Sequence, residues 1–484
     1  MTRNDRTAGH EEEGPGEQAA IPAGQRLPHE VLCNIARRLD RPTWAAFRQV
    51  SKAAAASAAV QVRSVAVPRR QDLLPALAAF GAGRSITKLT AGDCDVRDVL
   101  PALVEHPTIT SLTLSGTWHP SMNGVRVPDE DLLRYKLAGP GHFRIDLEGV
   151  QALPVTSLSL NGIRIGNEGV PPVVANPSIR ELDVGNCCIG GEGALTLANS
   201  TRFTSLNLGG NDLLRWGPVP VEGERPIESV LPELAPNTSI PSLDLSHCNI
   251  LLFTDEDLEG LRALGRNNRI KSVILKGNAI GDAGAGMVAA DNSVPQLDAS
   301  YCGILDGGVM VLAANTSFRR LNLEGNFVQA RGFRALAQST WLTSLDVSYP
   351  GGQGHPDYRI GNEGPQILRV NSSLTSLRLA GQNIGCKGAK AVATMRALTE
   401  VDLSDNRIRS PGAKALAANP RLTKVNVSKN QIGVEGKKAL EGSTSITWLD
   451  VSGNEAPMGK RVLEGMRDRF QNLRARLAGG DDRD

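Results

Sequence analysis

The chain has 484 residues, with Lys+Arg 53 against Asp+Glu 51 and a net charge of +2. That balance speaks against a nucleic-acid binder or a polybasic membrane anchor, and no apolar run approaches the roughly 18 residues needed to span a bilayer. A length of this order ordinarily means two or three domains, unless the chain builds a structure that grows without a central core.

Residues 1–24 are polar, rich in Gly, Glu, Pro and Thr and almost without large apolar side chains. Such a segment cannot bury enough surface to fold, so disorder is expected. It is not a secretory signal, which needs an apolar core of 7–15 residues.

Residues 25–61 change character. Leu27-Pro28-His29-Glu30-Val31-Leu32-Cys33-Asn34-Ile35-Ala36-Arg37-Arg38-Leu39 reads as a helix with Pro28 in its first turn. Leu32, Ile35, Ala36 and Leu39 lie at i, i+3, i+4 and i+7 and form one apolar stripe. Pro42-Thr43 breaks the chain, and Thr43 can cap a second helix with Trp44, Phe47 and Val50. Ser51 can cap a third, rich in alanine. A three-helix module of about 40 residues has a marginal core. It should rest on the segment that follows or on a partner, and its plainest reading is a cap for that segment.

From Val62 to Asn454 a unit of 24 residues repeats. Leu398-Thr-Glu-Val-Asp-Leu-Ser-Asp-Asn406, Leu422-Thr-Lys-Val-Asn-Val-Ser-Lys-Asn430 and Ile446-Thr-Trp-Leu-Asp-Val-Ser-Gly-Asn454 share apolar first, fourth and sixth positions and an Asn at the ninth. This is the L-x-x-L-x-L-x-x-N/C pattern of a leucine-rich repeat. Units begin at Val62, Ile86, Ile109, Val155, Ile179, Phe203, Ile240, Ile270, Val294, Phe318, Leu342, Leu374, Leu398, Leu422 and Ile446. The gap of 46 after Ile109 has room for one degenerate unit near Phe143, and insertions near 212–239, 251–269 and 349–373 stretch three others.

The fifteenth position is Gly at Gly169, Gly193, Gly284, Gly308, Gly332, Gly388, Gly412 and Gly436, and a short alanine-rich helix follows. Each unit therefore reads as strand, turn, helix, turn. The fold class is α/β: a solenoid with a curved parallel sheet and short helices, in which stacking is obligatory because no unit buries its own apolar face. The ninth-position Asn should bond backbone groups where neighbouring units stack.

Four of the seven cysteines, Cys94, Cys187, Cys248 and Cys302, also fall on the ninth position, which gives them a structural role. Cys33, Cys188 and Cys386 show no metal-ligand spacing, so neither a metal nor another cofactor is expected. An odd count without a framework fits free thiols in a reducing compartment. Residues 455–484 carry Val462, Leu463, Met466, Phe470, Leu473 and Leu477 on one helical face, the pattern of a capping helix for the last repeat.

Two resemblances sharpen this reading. Leu27-Pro28-x-Glu30-Val31-Leu32-x-x-Ile35-x-x-x-Leu39 followed by Val50-Ser51-Lys52 resembles an F-box, although Lys52-Ala-Ala-Ala-Ala56 stands where many F-boxes place an aromatic residue. In that family the motif docks on the Skp-type adaptor of SCF ubiquitin ligases, and the resemblance implies that Leu27, Pro28, Val31, Ile35, Leu39 and Val50 make the contact. An F-box followed by units such as Gly412-Ala-Lys-Ala-Leu-Ala417 and Gly332-Phe-Arg-Ala-Leu-Ala337 resembles the GALA effectors of plant-pathogenic bacteria. That family implies type III secretion into a host cell, action in host cytoplasm or nucleus, and recruitment of a target without chemistry in the chain itself.

Two enzyme readings fare worse. A bacterial ligase with its own catalytic cysteine would need one after the repeats, and no cysteine lies beyond Cys386. A GTPase-activating repeat protein has a longer unit. A plain binding or inhibitor protein keeps the solenoid and makes residues 25–61 a cap. In either recruitment or inhibition, the target should meet the concave strand face. There most flanking residues are small and polar and solvate the surface. The larger ones, His247, Lys276, Tyr301, Glu324, Tyr349, Arg378 and Trp448, are the candidates, with His247, Tyr301 and Tyr349 along one rim at the eighth position. The three insertions flank this region, where inserted loops often carry recognition.

Overall fold

A computed structural model describes residues 64–67, 87–92, 99–100, 103, 106–115, 147 and 149–454, the last span interrupted at 217–226, 230, 235–239, 251–254, 292 and 350–358. The chain divides into two units, residues 1–62 and 63–484, and every described residue belongs to the second. The expected disordered segment, three-helix module and C-terminal capping helix lie outside the described residues.

The second unit is the expected solenoid. Among the described residues, one parallel 15-stranded sheet runs in chain order from Ser64–Val67 at one edge to Trp448–Asp450 at the other. Each strand covers the third to fifth positions of one predicted unit, and the register pairs like with like: Ser272 with Gln296, Arg320 with Ser344, Lys424 with Trp448. The gap after Ile109 adds no strand, because Ser111–Ser115 pairs directly with the strand at Ser157–Ser159. Phe143 itself lies outside the described residues.

Short helices follow, among them Gly191–Ala198, Gly281–Ala289, Asp306–Ala314, Ala330–Gln338, Cys386–Ala393, Arg409–Ala417 and Val434–Glu441. They stack beside one another as a second layer. The core lies between the layers. Leu321, Leu323, Leu345, Val347, Leu377 and Leu379 supply its strand side, and Val309, Leu312, Phe333 and Leu336 its helix side, all nearly inaccessible to solvent.

The ninth-position ladder explains how units lock. Asn326 accepts hydrogen bonds from the N–H groups of Cys302 and Ile304, both at 3.0 Å, in the unit before. Its amide donates to the carbonyls of Ala299 at 2.7 Å and Leu323 at 3.1 Å. Asn211 and Asn278 repeat this arrangement, and Gln382 replaces Asn in the unit that begins at Leu374. A cysteine at the same place only donates. The Cys187 thiol donates to the carbonyl of Leu160, that of Cys248 to Leu208 and that of Cys302 to Leu275. With no side-chain acceptor from the next unit, Asn278 and Ile280 turn their N–H groups to carbonyls of their own unit, Leu275 and Asn278.

A second lock was not visible from the repeat consensus. The helices gain no hydrogen bond from their own capping side chains, but the preceding unit supplies one. Asp306 accepts from the N–H groups of Gln329 and Gly332, Asn167 from Gly190 and Gly193, and Asn362 from Gly385 and Gly388. This N-caps one helix from its neighbour, which satisfies donors left free at a helix start. It also explains the fifteenth-position glycine. A Cβ on Gly332 would lie 2.7 Å from Asp306 Oδ1 and 2.9 Å from Val328 Cγ1.

Of the three insertions, the first contains an antiparallel hairpin, Leu214–Trp216 with Ile227–Ser229. The described part of the second is a longer helix, Asp255–Arg266, within the helix layer, so it is not a recognition loop beside the strands. Residues 350–358 of the third lie outside the described residues.

Candidate functional site

The helix-free face of the sheet presents the third, fifth, seventh and eighth positions of every unit. The fifth-position column reads Asp183, Asn207, Asp244, Ile274, Asp298, Asn322, Asp346, Arg378, Asp402, Asn426, Asp450. Sequence reasoning treated such residues as solvating groups, and the structure corrects this. In each Asp or Asn unit one side-chain oxygen accepts the N–H of the seventh position and ends the strand in a tight turn: Asp244 from Ser246, Asp298 from Ser300, Asn322 from Glu324, Asp346 from Ser348. Neighbours interlock as well, with Asn322 Nδ2 donating to Asp298 Oδ2 at 2.8 Å and Asn426 Nδ2 to Asp402 Oδ2 at 3.1 Å. The recurrence of Asp or Asn two residues before the seventh position was the available signal.

The structure brings some predicted target-binding residues together and separates others. Lys276, Tyr301 and Glu324 form one cluster on consecutive units. The Lys276 ammonium lies 5.4 Å from the centroid of the Tyr301 ring, and the Tyr301 hydroxyl donates to Glu324 Oε1 at 2.9 Å. Burial and that bond to an anionic acceptor push the Tyr301 phenol up to about 12. Tyr349 is half-buried. The exposed Arg378 guanidinium stands 4.0 Å from the half-buried Asp346. Burial holds the Asp346 carboxyl above the ordinary carboxylate range, with Glu324 adding to the effect and Arg378 opposing it. Trp448, exposed, sits apart on the last strand.

The eighth position alternates in size: Asn186, Gly210, His247, Gly277, Tyr301, Gly325, Tyr349, Gly381. His247 and Tyr301 hold left-handed backbone, φ 52° and 54°, a conformation that Gly277 and Gly325 adopt freely. Each ring lies over the next unit's glycine. A Cβ on Gly277 would come within 2.2 Å of the His247 ring, and one on Gly325 within 2.4 Å of the Tyr301 ring. The rim expected of the eighth position is therefore a built surface in which glycine makes room for each ring.

The thiols are set by the same ladder. Burial pushes the Cys187 and Cys248 thiols up to about 12 and that of Cys302 to about 11. These three are buried and free, Cys188 is exposed and Cys386 half-exposed, and Cys94 lies outside the described residues. Among the described residues no group of three or more His, Cys, Asp or Glu is placed to hold a metal ion, and no helix is long and apolar enough to cross a membrane.

The six adaptor-contact positions, Leu27, Pro28, Val31, Ile35, Leu39 and Val50, lie outside the described residues. A model of the F-box domain matches residues 25–57. Leucine-rich-repeat models match residues 396–455 and, separately, 175–198, 266–289 and 370–393. No curated protein matches the chain. Among solved structures, an internalin (InlF) from Listeria monocytogenes strain 4b F2365 is 16% identical with a TM-score of 0.38, covering 63% of this chain and 83% of its own. A match to the F-box domain and a leucine-rich-repeat solenoid thus share one polypeptide.

Proposed function

We propose that this chain is the substrate-recruiting subunit of an SCF-type ubiquitin ligase. The F-box holds a Skp-type adaptor, and the helix-free face of the solenoid holds the target protein. The observation that carries the reading is the F-box match at residues 25–57 on a chain whose repeats display an uncovered, side-chain-rich sheet face. Such a subunit needs no chemistry of its own. Tethering raises the effective concentration of target lysines near the transferring enzyme.

Within this proposal the chain acts as a bacterial effector delivered by type III secretion into a plant cell. Support for that part is the sequence resemblance of its Gly-Ala-x-Ala-Leu-Ala units, beside an F-box, to the GALA group. Target contacts fall to the cluster of Lys276, Tyr301 and Glu324, with His247, Tyr349, Arg378 and Trp448 around it.

The test is adaptor capture. The wild-type chain should co-purify with a Skp-type adaptor, and Leu27→Ala/Pro28→Ala should not. Truncating two interface anchors at about 2 kcal/mol each weakens binding roughly 1,000-fold if the losses add. Circular dichroism of the double variant should match wild type, because the repeats draw stability from neighbouring units. Normal adaptor capture by the double variant would refute the F-box role. Global unfolding would make the module a structural cap and favour a plain binding or inhibitor protein.

A further inference from the structure

The near-zero net charge of the chain conceals an edge of one sign. The segments that lead from each helix into the next strand are 176–180, 199–204, 266–271, 290–295, 314–319, 338–343, 369–375, 394–399, 418–423 and 442–447. Together they carry nine arginines and lysines against a single carboxylate, Asp291, which is paired with Arg266 at 2.8 Å. The opposite edge mixes both signs, with Asp282, Asp306 and Glu324 beside Lys276 and Arg407. The strands pair in step, third position with third, so the basic segments lie side by side at roughly 4.8 Å per unit. The fold does not require their charge. Asn315, Asn371 and Asn419 already bond carbonyls at the helix ends, and threonine serves at the second position, where Thr343, Thr375 and Thr399 donate to the unit before. Arg319 does donate to the carbonyls of Thr316 and Ser317, so the weight falls on the exposed Arg369, Arg396 and Arg421.

Two apolar side chains stand on the same edge. Trp341, 43% exposed, and Val370, 71% exposed, occupy adjacent segments between those of Arg319 and Arg396. Arg319 Cζ lies 5.9 Å from the centroid of the Trp341 ring. Charge of one sign spread over many units suits an extended anionic surface better than a compact ligand. A nucleic-acid backbone offers nothing to an exposed valine, whereas a bilayer interface takes arginine, tryptophan and aliphatic side chains together. We propose that this edge binds anionic phospholipid headgroups, with Trp341 and Val370 entering the interface between them. The solenoid then lies on the bilayer without crossing it, and its helix-free sheet face stays open to a target.

Vesicle co-sedimentation of the full chain tests this. Wild type should sediment with phosphatidylcholine–phosphatidylserine vesicles and not with pure phosphatidylcholine, and binding should fall as salt rises. Arg369→Gln/Arg396→Gln/Arg421→Gln should weaken it by about 100-fold, at about fivefold for each basic side chain near the surface. Val370→Ser should weaken it by about fivefold through lost apolar burial. Lys387→Gln/Lys390→Gln/Lys438→Gln removes the same charge from exposed positions of the helix layer and should bind like wild type. Circular dichroism matching wild type shows that each variant is folded. Equal binding to both kinds of vesicle, or an equal loss in the edge and helix-layer triples, would overturn the proposal. So would binding to a DNA duplex that the arginine triple abolishes and Val370→Ser spares, which would assign the edge to nucleic acid.

Discussion

Asn326→Ala tests the ninth-position ladder most directly. Asn326 is 3% exposed, and its side chain makes four hydrogen bonds to the backbone of two successive repeats. Alanine leaves the N–H groups of Cys302 and Ile304 without their acceptor. A buried donor left unsatisfied costs about 1–3 kcal/mol, so the two together cost roughly 2–6 kcal/mol if nothing relaxes. The carbonyls of Ala299 and Leu323 lose less, since each keeps a second lone pair. Relaxation is available, because Asn278 and Ile280 already bond within their own unit where the next ninth position is Cys302. The lower half of the range therefore applies, about 2–3 kcal/mol. Asn326→Cys should cost less than Asn326→Ala, because a thiol still donates to Ala299 as Cys302 does to Leu275. A long repeat array need not unfold as one step. Site-resolved hydrogen exchange is accordingly the right assay, and in Asn326→Ala the Cys302 and Ile304 amides should open about 30- to 100-fold more often. Unchanged exchange there, or a cysteine as damaging as alanine, would refute the reasoning.

Gly332→Ala should destabilise the chain by about 1–3 kcal/mol through overpacking against Asp306 and Val328, whereas Gly286→Ala, in the helix Gly281–Ala289 with open space around it, should stabilise by about 0.5–1 kcal/mol; thermal melts of the pair check both. Asp346→Asn should raise the melting temperature at pH 7, because asparagine keeps the acceptor for the Ser348 N–H as Asn322 does for Glu324, and removes a buried charge. The sign follows from linkage: the folded state binds the Asp346 proton more tightly than the unfolded one, so the deficit is present at neutral pH and fades as pH falls. The two proteins should converge below about pH 4, and a gap that persists there would contradict the buried-charge account.

Much of the solenoid was legible because its signal is local and repeated. Every predicted unit start lies two residues before a strand, from Val62 to Ile446, and the glycine column marks the helices of the regular 24-residue units. What escaped were interactions between units. Asp306, Asn167 and Asn362 look like ordinary turn residues, yet each caps a helix in the following unit, a pairing that single-repeat reasoning cannot see. The same holds for Asn176, Asn315, Asn371 and Asn419. Each sits three residues before a unit start, accepts the N–H groups that follow and donates to carbonyls of the unit before. The candidate site was half legible. Repeat position placed the large side chains on the helix-free face, but the stacking of His247 on Gly277 and of Tyr301 on Gly325 depends on the alternation between neighbouring units.

That alternation separates recognition from architecture and yields a last prediction. The fifth-position carboxylates are committed to the strand ends, so Asp298→Ala should cost stability. It frees the Ser300 N–H, the Ser300 hydroxyl and the Asn322 amide at once. Tyr301→Gly should not. It loses the ring's contact with Lys276 and its bond to Glu324, but it relieves left-handed backbone that glycine adopts freely, and the two effects are each about 1 kcal/mol. The ring is therefore not required by the fold at this position, which leaves it free for the target contact proposed above. On the proposed recruitment role, a target captured from plant-cell lysate with wild-type bait should be lost or strongly reduced with Tyr301→Gly, by about 2 kcal/mol of affinity for an anchor residue. Parallel melting curves complete the test. If Tyr301→Gly destabilises the solenoid as much as Asp298→Ala, the eighth-position rings are part of the architecture and the target must bind elsewhere.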